Sequence, residues 1–136
     1  MKKVLFLCTG NSCRSQIAEA VVNHRLKESW QAYSAGTFPT GYVHPKAVQV
    51  LEEMGIHHEG ESKHVEKFRH DQFDLVVTVC NYATEDCPLW LGSGKRIHRS
   101  FNDPAKARGS DEQVINVFRQ VRDEIAEEIP KLLENY

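Results

Sequence analysis

Cys8 opens the stretch Cys8-Thr9-Gly10-Asn11-Ser12-Cys13-Arg14-Ser15, in which five residues separate a soft nucleophile from a guanidinium. Five intervening residues let the backbone N–H groups of Thr9 to Arg14 curl around one tetrahedral anion, and a helix starting at the end of the loop adds its dipole. Arg14 offers two anion oxygens a planar fork, which a lysine does not match geometrically. The same positive surroundings favour Cys8 as the thiolate, with the Ser15 hydroxyl placed to hydrogen-bond the sulfur. Gly10 is read as the residue that frees the turn. Thr9, Gly10, Asn11, Ser12, Cys13, Arg14 and Ser15 are therefore the expected oxyanion-binding residues, and Cys8 is the expected nucleophile. Cys80, Cys87 and Asp103 are the other residues whose chemistry suits such a site.

The elements around these residues follow from periodicity. Val4 to Leu7 is a short continuous apolar run, as in a strand buried on both faces. From Ser15, the apolar positions Ile17, Ala18, Val21, Val22 and Leu26 recur at helical spacing, with Ser12 as the expected N-cap. Ala32 to Gly36 reads as a weaker strand. Pro45 suits the first turn of a helix carrying Ala47, Val48, Leu51 and Met54 and stopped by Gly55. His57 to His70 reads as loop with a short helical turn. Asp74-Leu-Val-Val-Thr-Val79 is the clearest buried strand, and Lys95 to Phe101 is a weaker one leading into the Asn102-Asp103-Pro104 turn. Ser110 and Gln113 form a capping box for a long helix on which Pro130 should impose a kink or a restart.

Alternating strands and helices predict an α/β fold built on one parallel sheet, with residues 1–136 as one domain. Ligands of such sheets bind at the carboxyl ends of the strands. Cys8, Cys80 and Asp103 each follow a proposed strand, so the expectation is that they converge at one rim. Composition narrows the partners. Seventeen basic and nineteen acidic residues give a formal charge of -2, too balanced for a nucleic-acid or anionic-membrane surface. No signal peptide or membrane span is evident, so a cytoplasmic protein is expected. Its four cysteines are then expected to be reduced rather than built into a disulfide framework. No apolar stripe is left over for an interface, so a monomer is expected.

The loop, with the strand before it and the helix after it, resembles the low-molecular-weight protein tyrosine phosphatases over essentially the whole chain. Within that superfamily the sequence is similar to the thioredoxin-coupled arsenate reductases. Cys8 to Ser15, Tyr33-Ser-Ala-Gly36, Asp74 to Cys80, Cys87-Pro88 and Asp103-Pro104 carry the similarity. The resemblance implies a three-layer α/β/α fold with a four-stranded parallel sheet. It also implies that Cys8 attacks arsenate, that Asp103 protonates the departing hydroxyl, and that Cys80 then attacks Cys8 to release arsenite. Cys87 next attacks Cys80, and thioredoxin reduces the Cys80–Cys87 disulfide; a glutaredoxin and glutathione route is the alternative. Catalytic Cys8, Arg14, Cys80, Cys87 and Asp103 with no cofactor is thus the expected constellation.

A phosphatase is the competing reading, needing only Cys8, Arg14 and Asp103. It has no use for Cys80 or Cys87. Phosphatases of this type place an aromatic residue just after the Asp-Pro, where this chain has Ala105. A non-catalytic oxyanion-binding or redox-sensing module is a third reading, disfavoured by Arg14 and Asp103 beside Cys8.

Cys13 reads as a packing residue at the helix start, with a Cys8–Cys13 disulfide as the alternative that the resemblance adds. Cys80 and Cys87 would stand about 10.5 Å apart along a helix, beyond the roughly 7 Å that a disulfide tolerates. Residues 81–88 are therefore expected to rearrange on oxidation. The cysteine spacings do not suit structural zinc, and His57, His58, His64 and His70 read as solvated. Some members of the resembled family hold potassium with residues that match Asn11, Glu19 and Ser34; the fourth position is Lys63, whose ammonium is expected to stand in for the cation. No metal is expected.

Overall fold

The computed structural model describes residues 1–81 and 90–136. Four parallel strands, β1 (Lys2–Cys8), β2 (Trp30–Gly36), β3 (Leu75–Thr78) and β4 (Lys95–His98), lie in the order β2-β1-β3-β4. The α-helices are α1 (Arg14–Arg25), α2 (Pro45–Glu53) and α3 (Asp111–Leu133). The two central strands are the two with uninterrupted apolar runs, because only a strand covered on both faces must be apolar at consecutive positions. Side chains alternate across the pleat. Val4, Phe6, Leu75 and Val77 accordingly join Ile17, Val21, Leu51, Phe118 and Ile125 of the three helices in one core. Leu5, Leu7 and Val76 point the other way.

That second face is covered by the 3-10 helix Val65–Phe68 and an aromatic cluster. Tyr33, Phe68, Phe73 and Trp90 meet edge to face, with ring centroids 5.7 to 5.9 Å apart. The sheet is therefore the middle of three layers. The faint strand pattern in β4 follows from its place at the edge, where Ile97 alone is half-buried and its neighbours are exposed. Among the described residues no helix is long and apolar enough to cross a membrane.

Helix ends show where local signals held and where they did not. His44 caps α2, its Nδ1 accepting the Lys46 N–H at 3.1 Å, and the Ser110–Gln113 capping box starts α3. The expected N-cap Ser12 is corrected: Cys13 precedes the first helical residue of α1, and no side chain caps it. A capping oxygen there would consume the amides that an anion needs. Pro130 forces no restart, since α3 runs through it to Leu133. So near the end one lost N–H costs little, and Ile129 and Leu133 hold the last turn against the core.

Behind the loop that follows β1, Phe118 is fully buried and its ring packs at a tilt of 43° against that of His44, with centroids 4.7 Å apart. The His44 N–H in turn donates to the Ser12 carbonyl at 3.0 Å. Phe118→Ala should lower stability by about 3–5 kcal/mol through the cavity it leaves. Urea unfolding checks this as a lower midpoint with an unchanged m-value.

Candidate active site

Residues 9–13 carry the chain from the carboxyl end of β1 to the first turn of α1. Their carbonyls are turned outward and engaged. Thr9 accepts from the Phe38 N–H at 2.9 Å, Gly10 from Thr40 at 3.0 Å and Ser12 from His44 at 3.0 Å. The Ser62 hydroxyl adds a second bond to Gly10 at 3.1 Å, and the Gln16 amide donates to Asn11 at 3.1 Å. Carbonyls held outside are what an anion nest requires, and the Asn11 N–H is turned to the Cys8 sulfur.

The turn's strained residue is Asn11, whose φ of 48° is the sole positive value among described non-glycine residues. Gly10 does not take a left-handed conformation, so its expected role is corrected. What Gly10 supplies is space, since a Cβ there would stand 3.3 Å from the Thr40 methyl. Gly36 is a tighter case. A Cβ at Gly36 would stand 2.4 Å from the Thr9 carbonyl oxygen, so β2 can pass this close to the loop only without a side chain.

Cys8 is a free thiol and nearly fully buried. Its Sγ lies 2.8 Å from Ser15 Oγ and accepts from the Asn11 N–H at 3.3 Å. The buried Arg14 donates through Nη1 to the Phe101 carbonyl at 3.3 Å, and Nη2 stands 3.7 Å from Asp103 Oδ2. Asp103 is fixed from its other oxygen, which accepts the Ala105 N–H at 3.0 Å as the cap of the 3-10 helix Pro104–Lys106. Cys8, Gly10, Ser12, Cys13, Arg14, Thr40, Asp103 and Ala105 line one cavity of about 100 Å³. That is far below the 300 Å³ or more of an ordinary organic-ligand pocket and suits a single small anion.

The remaining cysteines divide. Burial pushes the Cys13 thiol up to about 12, which leaves it protonated and a poor nucleophile at neutral pH. Cys80 is buried just past β3 and is oxidised in a disulfide, against the expectation of wholly reduced cysteines. The ladder pairs Leu7 with Thr78, and the Val79 N–H donates to the Leu7 carbonyl at 2.9 Å. Cys8 and Cys80 therefore leave adjacent strands, about 4.8 Å apart in the hydrogen-bonding direction, within one residue of the same level. Cys87, and the expected rearrangement of residues 81–88 apart from Asn81, lie outside the described residues.

Glu19 accepts the Ser34 hydroxyl at 3.0 Å, and Lys63 Nζ stands 3.9 Å from the same oxygen. Burial holds the Glu19 carboxyl above its ordinary range, opposed by Lys63, while burial lowers Lys63. Two supporting residues escaped the sequence reading. Gln16 is fully buried beneath the loop, and its only sequence signal was a polar residue at a helical position facing the core. His58 was expected to be solvated, yet its side chain is 9% exposed and its ring meets Gln16 at 2.7 Å; nothing in a polar run marks which histidine turns inward.

The chain matches the low molecular weight phosphotyrosine protein phosphatase family over residues 3–136 and belongs to that family. Its relatives include an arsenate reductase of Halalkalibacterium halodurans, 45% identical over 98% of this chain and 96% of that protein. An arsenate reductase of Bacillus subtilis is 40% identical over the same shares. Among solved structures, an arsenate reductase in the phosphate binding state superposes with a TM-score of 0.81 at 32% identity, covering 99% of this chain and 98% of that one. A low molecular weight protein tyrosine phosphatase from T. tengcongensis gives 0.75 at 26% identity with both chains fully covered.

The Glu19–Lys63 pair has a pH signature. A carboxyl whose folded value is raised contributes stability that is complete below its unfolded value and lost as pH rises through the folded one. Lys63→Met removes the cation that opposes this rise. The variant should melt lower than the parent at pH 7.5, by the equivalent of about 2 kcal/mol, and the deficit should close towards about pH 4 as Glu19 takes a proton. Thermal melts across that range check it, and in the parent potassium in place of sodium should leave the midpoint unchanged.

Proposed function

We propose that this protein reduces arsenate to arsenite, with electrons supplied by thioredoxin. The observation that carries this reading is the pairing at the ends of β1 and β3. A free Cys8 thiol lies in an oxyanion cradle, and an oxidised Cys80 leaves the neighbouring strand. A phosphatase has no need of the second sulfur. The names of the relatives point the same way.

In the proposed cycle the loop amides and Arg14 hold arsenate, and the Cys8 thiolate displaces a hydroxyl that leaves as water with a proton from Asp103. Cys80 attacks Cys8 sulfur, and the electron pair of the sulfur–arsenic bond passes to arsenic, which leaves as arsenite. Cys87 then attacks Cys80 and frees Cys8. The Cys80–Cys87 disulfide that remains is reduced by the thioredoxin dithiol, thiolate attacking disulfide sulfur at each exchange. An oxidised Cys80 beside a free Cys8 is the state expected just before that last step. We place the protein in the cytoplasm as a monomeric single domain, where thioredoxin or, as the alternative, glutaredoxin with glutathione is available.

Phosphate-ester hydrolysis is the second reading. Phe38 and Tyr42 are exposed at 76% and 56% in the segment bonded to the Thr9 and Gly10 carbonyls, and they can supply an aromatic wall that Ala105 does not.

Arsenate, thioredoxin, thioredoxin reductase and NADPH distinguish the readings. Arsenate-dependent NADPH oxidation should vanish in Cys8→Ser, Cys80→Ser and Cys87→Ser. Ester hydrolysis that survives both Cys80→Ser and Cys87→Ser, without arsenate-dependent oxidation in the parent, would assign the protein to the phosphatases. Asp103→Asn should lower kcat by about a hundredfold or more, the contribution of a positioned general acid, and steady-state kinetics measure it.

A further inference from the structure

Beneath the loop the directions of four hydrogen bonds can be assigned from the groups at their ends. Gln16 Nε2 faces the Glu61 carbonyl at 2.7 Å and the Asn11 carbonyl and Oδ1, each at 3.1 Å. All three are acceptors, so this end of the Gln16 side chain is the NH2 and its oxygen faces His58. His58 Nε2 lies 2.7 Å from that oxygen and must carry the hydrogen.

Asn11 is oriented in the same way. Its Oδ1 also accepts the Lys63 N–H at 2.9 Å, so its NH2 points to Ser15 Oγ at 2.8 Å. Ser15 accepts there, which leaves its own hydrogen for Cys8 Sγ at 2.8 Å. Every link thus donates towards the sulfur. Chains of this kind strengthen one another by polarisation, most of all where they end on an anion.

Gly60 makes the link to His58 sterically possible. A Cβ at Gly60 would stand 2.3 Å from His58 Nε2 and 2.4 Å from Gln16 Oε1, so any side chain would occupy the place of this bond. Glu19 Oε2, at 3.8 Å from His58 Nε2, and Lys63 are the charged groups facing the ring, and burial with Lys63 and His57 nearby holds the imidazole below its ordinary value.

We propose that His58 is a positioning residue for the nucleophile, holding through Gln16 and Asn11 a one-directional hydrogen-bond chain that ends on the Cys8 sulfur. Removing its N–H leaves the buried Gln16 oxygen unpaired, and the amide escapes that penalty only by rotating its donor away from Asn11. Asn11 then loses the contact that fixes its orientation towards Ser15. The proposal rests on Cys8 being the nucleophile of the proposed reaction, and its test needs neither arsenate nor thioredoxin. A chain that failed to reduce arsenate would still answer it.

The reduced full-length protein is treated with iodoacetamide at pH 7, and modification of Cys8 is followed by mass spectrometry with fragmentation, which separates it from the unreactive Cys13. His58→Phe should slow alkylation of Cys8 about three- to tenfold, the range of a single hydrogen bond. His58→Gln, which keeps a donor, should restore most of the rate. An unchanged rate in a folded His58→Phe, or a His58→Gln as slow as His58→Phe, would overturn the proposal. Nitrogen-15 NMR of the parent at pH 8 decides even if the variants do not fold: the His58 ring should carry its hydrogen on Nε2, and the Nδ1–H tautomer would sink the idea.

Discussion

The outward engagement of the loop carbonyls is the constraint on which the site depends. A backbone amide carries both a donor and an acceptor, so a segment cannot present a row of N–H groups to an anion unless its oxygens are satisfied elsewhere. Here they are satisfied by three neighbouring amides, by Ser62 and by Gln16. The left-handed Asn11 is the cost of that geometry. It is over-determined by bonds to its carbonyl, its N–H and both ends of its side chain.

The support reaches outwards in shells of decreasing polarity. His44 caps α2 and fixes the Ser12 carbonyl with the same residue's backbone, while its ring rests on Phe118 of α3. The core on that face of the sheet thereby sets the position of a carbonyl at the rim. On the other side of the loop, the segment 57–63 supplies His58, Glu61, Ser62 and Lys63 to it. A polar segment without regular structure is thus tied to the loop, because Asn11 and Gln16 are fully buried and take their hydrogen bonds from it or give them to it.

The parallel sheet brings the remaining residues of the proposed relay to the same rim. Strands that all run one way bring all their carboxyl ends to one rim, so Cys8, Cys80 and Asp103 share a neighbourhood without being close in the chain. Adjacency of β1 and β3 matters most, since it places two sulfur-bearing ends side by side. Had β3 and β4 exchanged places, the same residues would have carried an anion site with its second sulfur a strand further away.

Much of this was legible from residue order. Central strands announced themselves because burial on both faces demands unbroken apolar runs, and α3 announced itself by its capping box and stripe. Cys8, Arg14 and Ser15 stood out because their spacing across a strand-to-helix turn suits a loop that holds an oxyanion. The edge strand β4 was faint, since exposed positions carry little pattern. What only the tertiary structure decided was the N-cap of α1, the identity of the left-handed residue, the passage of α3 through Pro130, and the inward turn of Gln16 and His58. Each depends on a group far away in sequence that satisfies or excludes a polar atom, and local periodicity holds no information about where such a partner will be.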